Sequence, residues 1–133
     1  MVRFGFLPFQ AFYRVYKEGN KLTATKVHQH EAKKQAIMNM DANLMHKKFA
    51  AGMDNLCRLY NYAIEDKTKK GEVETKVSVK EAGCQTTAVG GDDDDAEYQK
   101  CVKFSLDGNF IATASSEGQV KILRVSYSKQ KHI

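Results

Sequence analysis

Apolar and polar residues alternate in short runs along most of this chain, and the runs end at turn-forming residues. The clearest case is 101–125, CVKFSLDGNFIATASSEGQVKILRV. Val102-Lys103-Phe104 leads to Asp107-Gly108-Asn109. Phe110–Ala114 follows and leads to Ser116-Glu117-Gly118, and Val120–Val125 alternates again. Period-two alternation with Asp-Gly or Glu-Gly punctuation predicts three strands joined by two tight hairpins. Earlier segments read the same way. Ala11–Lys17 and Leu22–His28 flank Glu18-Gly19-Asn20 and predict a hairpin. Ala36–Met40, Lys48–Ala51 and Leu56–Ile64 predict further strands, with a loop over Asp41–Lys47 and a turn at Gly52-Met53-Asp54-Asn55. Ile37, Met38, Met40, Leu44 and Met45 could suit a helix, but Asp41-Ala42-Asn43 interrupts the run and favours strands. Thr75–Lys80 predicts one more short strand.

Two hairpins in succession make a meander, and a meander of this length is one blade of a β-propeller. A blade cannot bury both faces alone. The chain also repeats itself. Ala50–Tyr62 lies over Thr113–Val125 at an offset of 63, pairing Ala51 with Ala114, Asp54 with Glu117, Cys57 with Val120, Leu59 with Ile122 and Tyr62 with Val125. Propeller repeats run to about 40 residues, so the longer spacing implies an insertion within 65–100. The expected class is all-β: antiparallel meanders forming about two blades of a partial WD-type propeller. The expected segments are a divergent start (1–10), the last two strands of a first blade (11–30), a second blade with a charged insert at 65–74 (34–82), an acidic flexible loop (83–97), three strands of a third blade (98–126) and a basic tail (127–133).

Composition changes this picture little. The 133 residues suffice for one domain, and 42% hydrophobic with 28% charged residues is ordinary for a globular protein. No apolar run reaches the roughly 18 residues of a membrane-spanning helix, and the start is a poor secretory signal. The net charge of +5 is unevenly spread: residues 65–100 hold six Lys against ten acids, so the rest is basic by nine. No Lys/Arg cluster is interleaved with aromatics, so a nucleic-acid partner is disfavoured.

Candidate chemistry is sparse. Cys57, Cys84 and Cys101 are odd in number and lack a CxxC pair, which argues against disulfides and zinc. Cys57 and Cys101 read as small buried hydrophobes. His28 and His30 have a spacing that could suit a metal, but no third ligand stands nearby. The four acids Asp92–Asp95 lack the spacing of a calcium loop. Ser115 and Ser116 have no evident base, and Asp54 and Asp107 read as turn residues. No phosphate loop, GxSxG or HExxH is present. No catalytic, cofactor-binding or metal residue is assigned, no cofactor is expected, and covalent catalysis is not expected.

FSLDGNFIATASSEGQVKILRV resembles the end of a WD-repeat blade, with Leu123 and Arg124 where the closing Trp-Asp would stand and no Trp anywhere. The order KLTATKVHQHE, AIMNM, FAAGMDNLCRLYNY, a charged insert and YQKCVKFSLDGNFIATASSEGQVKILRV is similar to the N-terminal half of the prolactin regulatory element-binding family. These are endoplasmic-reticulum exchange factors for the small GTPase Sar of the COPII coat. The resemblance covers roughly 11–126. It implies a seven-bladed propeller on the cytosolic face of the endoplasmic reticulum, a C-terminal membrane anchor, nucleotide exchange on Sar as the partner and, from the family's name, a transcriptional role. That family carries a Gly-rich, potassium-associated exchange loop before the strand matching Ala11–Lys17. Here MVRFGFLPFQ stands there with one Gly. The chain is thus expected to be a shortened product that ends before the anchor and is inactive alone, and no functional residue is carried over; the alternatives are a generic WD-type interaction scaffold and a small basic DNA-binding, transcription-regulating β domain.

Overall fold

A computed structural model describes residues 9–31, 37–88 and 98–126. Every regular element in them is a strand: β1 (Phe9–Glu18), β2 (Lys21–Glu31), β3 (Ile37–Asn43), β4 (Lys48–Met53), β5 (Leu56–Lys69), β6 (Glu72–Thr86), β7 (Gln99–Phe104), β8 (Phe110–Ser115) and β9 (Val120–Arg124). The protein is all-β. The strands form three antiparallel sheets in chain order: the hairpin β1-β2 and the meanders β3-β4-β5-β6 and β7-β8-β9.

The three sheets stack. Phe49, Ala51, Met53 and Tyr60 face the first sheet and pack with Phe12, Tyr62 and Val79. Residues of opposite parity, Ala50, Cys57 and Leu59, face the third sheet and meet Val102, Phe104, Ile111, Leu123 and Val125. Successive strand side chains point to opposite faces, so covering both faces buries all six residues of β4. The small residues Ala50, Ala51 and Gly52 let the layers approach. A Cβ on Gly52 would collide with the Asn39 and Gln99 side chains.

The element boundaries differ from the sequence expectation in four places. β3 runs through Asp41-Ala42-Asn43, because Ala42 pairs with Phe49 and Asn43 with Lys48. The β4–β5 turn is only Asp54-Asn55, closed by Met53 opposite Leu56, with Asp54 left-handed at φ 49°. The charged stretch 65–74 is not an irregular insert but the far half of the β5–β6 hairpin. It reverses at Lys70-Gly71, both left-handed (φ 52° and 80°), the geometry of a type I′ turn. The flexible stretch placed at 83–97 begins too early: Gly83–Thr86 are strand, paired with Leu59–Leu56. Thr87 and Ala88 then donate to the Asn55 carbonyl at 2.8 and 3.2 Å. Asp92–Asp95, the tail 127–133 and most of the first ten residues lie outside the described residues.

The internal repeat is real on one strand and slipped on the other. Tyr60 and Tyr62 of β5 correspond to Leu123 and Val125, which keeps the offset of 63. Phe49, Ala51 and Met53 of β4 correspond by facing to Ile111, Thr113 and Ser115, an offset of 62. The reason is the turn. β4–β5 uses two residues, whereas β8–β9 uses three, Ser116-Glu117-Gly118, closed by Ser115 N–H to the Gln119 carbonyl at 2.9 Å. Gly118 is left-handed (φ 80°), as a three-residue hairpin with a bulge demands.

Candidate interaction surfaces

The residues singled out for chemistry lie in separate places, and packing accounts for them. Phe12 sits opposite His28, and Gln10 opposite His30. Both histidines belong to an aromatic cluster between the first two sheets. The His28 ring meets Phe12 at 5.7 Å and the His30 ring meets Tyr60 at 5.1 Å, both edge-on. Burial, with a further contribution from His28, holds His30 below its usual pKa, against weaker opposition from Glu31 and Glu81. Among the described residues no three His, Cys, Asp or Glu side chains converge on a metal position.

Cys57 is buried against the third sheet, and burial pushes its thiol up to about 11 despite an opposing contribution from Gln99. Cys101 is not the buried hydrophobe expected; it is exposed, as is Cys84. It pairs with Ala114 on the outward face of the third sheet, which no described residue covers. Ser115 and Ser116 are turn clamps: the Ser115 hydroxyl accepts from Gln119 N–H at 3.2 Å and the Ser116 hydroxyl from Tyr98 N–H at 3.1 Å. Asp107 is another. Its carboxylate accepts from the Ser105 hydroxyl at 2.6 Å and Asn109 N–H at 3.0 Å, and these bonds lower its pKa.

Sequence reasoning missed a polar seam between the second and third sheets. The Asn39 side chain donates to the Gln99 carbonyl at 2.9 Å, and Gln99 N–H donates to the Asp54 carbonyl at 2.7 Å. The Thr87 hydroxyl bonds the Gln99 side chain, with both residues almost wholly buried. Asp41 accepts from Phe104 N–H at 2.7 Å and pairs with Lys103 at 3.4 Å. These bonds join the β7 strand to β3, to the β4–β5 turn and to the residue after β6, and they fix the sheet-to-sheet register. None could be read from spacing, because the partners lie between 12 and 63 residues apart and follow no periodicity.

Besides the outer faces of the first and third sheets, two surfaces stand out among the described residues. At one end, the β3–β4 and β7–β8 turns lie side by side, with His46 Nε2 at 3.1 Å from the Asp107 carbonyl. They enclose a groove of about 240 Å³ lined by Leu44, Met45 and Leu106. These three are among the most exposed apolar side chains, at 78, 77 and 101%. The other surface is the β5–β6 arm beyond Ile64. It has four acids and four lysines at 65–76, with Glu65 opposite Lys76, Lys67 opposite Glu74 and Lys69 opposite Glu72. On its other face the Thr75 hydroxyl donates to Asp66 at 2.6 Å, and Arg14 donates to Thr75 at 3.4 Å. The signal for this arm was in the sequence: acids and lysines mirrored about Lys70-Gly71.

No protein-family model and no curated protein matches this chain. No helix among the described residues is long and apolar enough to cross a membrane.

Proposed function

We propose that this chain is a segment of the WD-type propeller of an endoplasmic-reticulum exchange factor for the Sar GTPase, serving COPII vesicle formation. The observation that carries the reading is the stack of three successive antiparallel sheets, a hairpin followed by two meanders, with the middle one covered on both faces. Propeller blades stack in this way. The outer sheets support it as well. The third exposes Phe110, Val120 and Ile122 outward, and the first exposes Tyr13, Val15 and Leu22. Further blades would cover such faces. The segment order quoted above supplies the family, and exchange by differential binding of the nucleotide-free GTPase requires no covalent chemistry.

The test is release of a fluorescent GDP analogue from Sar. The complete protein containing this segment should accelerate release, whereas the segment alone should not, because it has no Gly-rich first-blade loop. Failure of the complete protein to accelerate release, with Sar otherwise competent, overturns the exchange reading and leaves a WD-type scaffold for another partner. Salt-sensitive binding to duplex DNA would instead favour the basic, transcription-linked alternative.

A further inference from the structure

We propose that β6 pairs edge to edge with β6 of a second copy of this chain, antiparallel, with Thr75 opposite Thr75. Among the described residues β6 is the outermost strand of the second sheet. At 15 residues it is the longest strand, and an edge of this kind offers a row of backbone donors and acceptors. Lysines often protect such edges. Here the charges are arranged so that they also complement a second copy.

The register follows from the charges. With Thr75 on the two-fold axis, Glu74 falls opposite Lys76 of the second copy, and Lys76 opposite Glu74. Within one chain Glu65 opposes Lys76 and Lys67 opposes Glu74. Each row across the four strands then reads Glu65, Lys76, Glu74, Lys67, alternating in sign at every step. Opposite charges directly across a pair stabilise a ribbon, and like charges destabilise it. On the other face Val73 meets Val77 of the second copy, extending a row that ends in Ile64. Ile64 and Val73 are 52 and 47% exposed in the single chain. Other registers fail. A shift of two residues one way puts Lys76 opposite Lys76, and the other way Glu74 opposite Glu74. A shift of four puts Val73 opposite Glu81 or Glu72 opposite Glu74. Odd shifts set valines against charges.

The experiment is sedimentation velocity on the whole chain across micromolar concentrations at low and high salt. A dimer that weakens as salt rises is expected. Lys76→Glu should weaken it roughly tenfold or more, about 1.4 kcal/mol or above. Glu65→Lys/Lys67→Glu/Glu74→Lys/Lys76→Glu inverts every sign, keeps both sets of pairs and should restore the dimer. In a Cys84→Ser/Cys101→Ser background, Thr75→Cys should cross-link between copies under oxidation faster than Val73→Cys. A monomer at all concentrations overturns the proposal. So does a dimer indifferent to Lys76→Glu, or cross-linking that favours position 73.

Discussion

The second and third sheets are the same meander in different situations. In the second, Ala50 and Ala51 are wholly buried because sheets lie on both sides. In the third, Ala112, the equivalent of Ala50 at the offset of 62, is only half-buried, as is Ala114 on the same face, whereas Thr113, the equivalent of Ala51, faces the second sheet and is buried; their outward neighbours Val120 and Ile122 are two-thirds exposed. The side chains are equally apolar. Position in the stack, not strand chemistry, therefore sets burial here, and a layered protein of this kind should lose stability very unevenly along its sequence.

Paired substitutions test this most directly. Phe49 stacks on Tyr60 at 4.8 Å in the covered sheet, so Phe49→Ala should cost about 3–5 kcal/mol. Phe110→Ala on the outward face should cost under about 1 kcal/mol by the same denaturation measurement. Equal losses would show that the third sheet is covered too. Gly108→Ala ranks next. Gly108 is left-handed (φ 74°), and an added Cβ would collide with Asn43 at the end of β3 and with His46 in the turn that follows, so a loss of about 1–3 kcal/mol is expected. Gly118→Ala, equally left-handed with open space around it, should cost less.

The histidine at the first interface sharpens the contrast through pH. The folded state lowers the His30 pKa, so the unfolded chain binds more protons between the two values. Stability should fall as pH drops below about 6.5, the free histidine value, and His30→Gln should flatten that slope. Chemical labelling gives the smallest perturbation. At pH 8 iodoacetamide should modify Cys84 and Cys101 but spare Cys57 until the chain unfolds, since Cys57 is buried and its thiol is pushed up to about 11. Rapid native labelling of Cys57 would mean that the second and third sheets separate readily.

The sequence disclosed the strands whose alternation is backed by turn residues, β1, β2, β8 and β9 among them. It concealed what depends on pairing across a distance. The charged run 65–74 has the composition of a solvated loop, and only its mirror symmetry about Lys70-Gly71 marks it as strand. The extent of β4 was hidden because a strand buried on both faces loses its polar alternation: Phe49-Ala50-Ala51-Gly52-Met53 has no outward side to carry a charge. The polar seam through Asn39, Thr87 and Gln99 left no local trace. For the interaction surfaces, Leu44 and Leu106 read as loop residues, and only the folded turns bring them to one groove.

The three-residue turn at Ser116-Glu117-Gly118 has a consequence for how such chains change length. One added residue would ordinarily turn a strand inside out. Here Gly118, in a backbone shape that other amino acids resist, takes up the extra residue, and every side chain before and after keeps its orientation. Single-codon insertions can therefore accumulate between strands of this architecture without scrambling its layers, provided each arrives with a glycine.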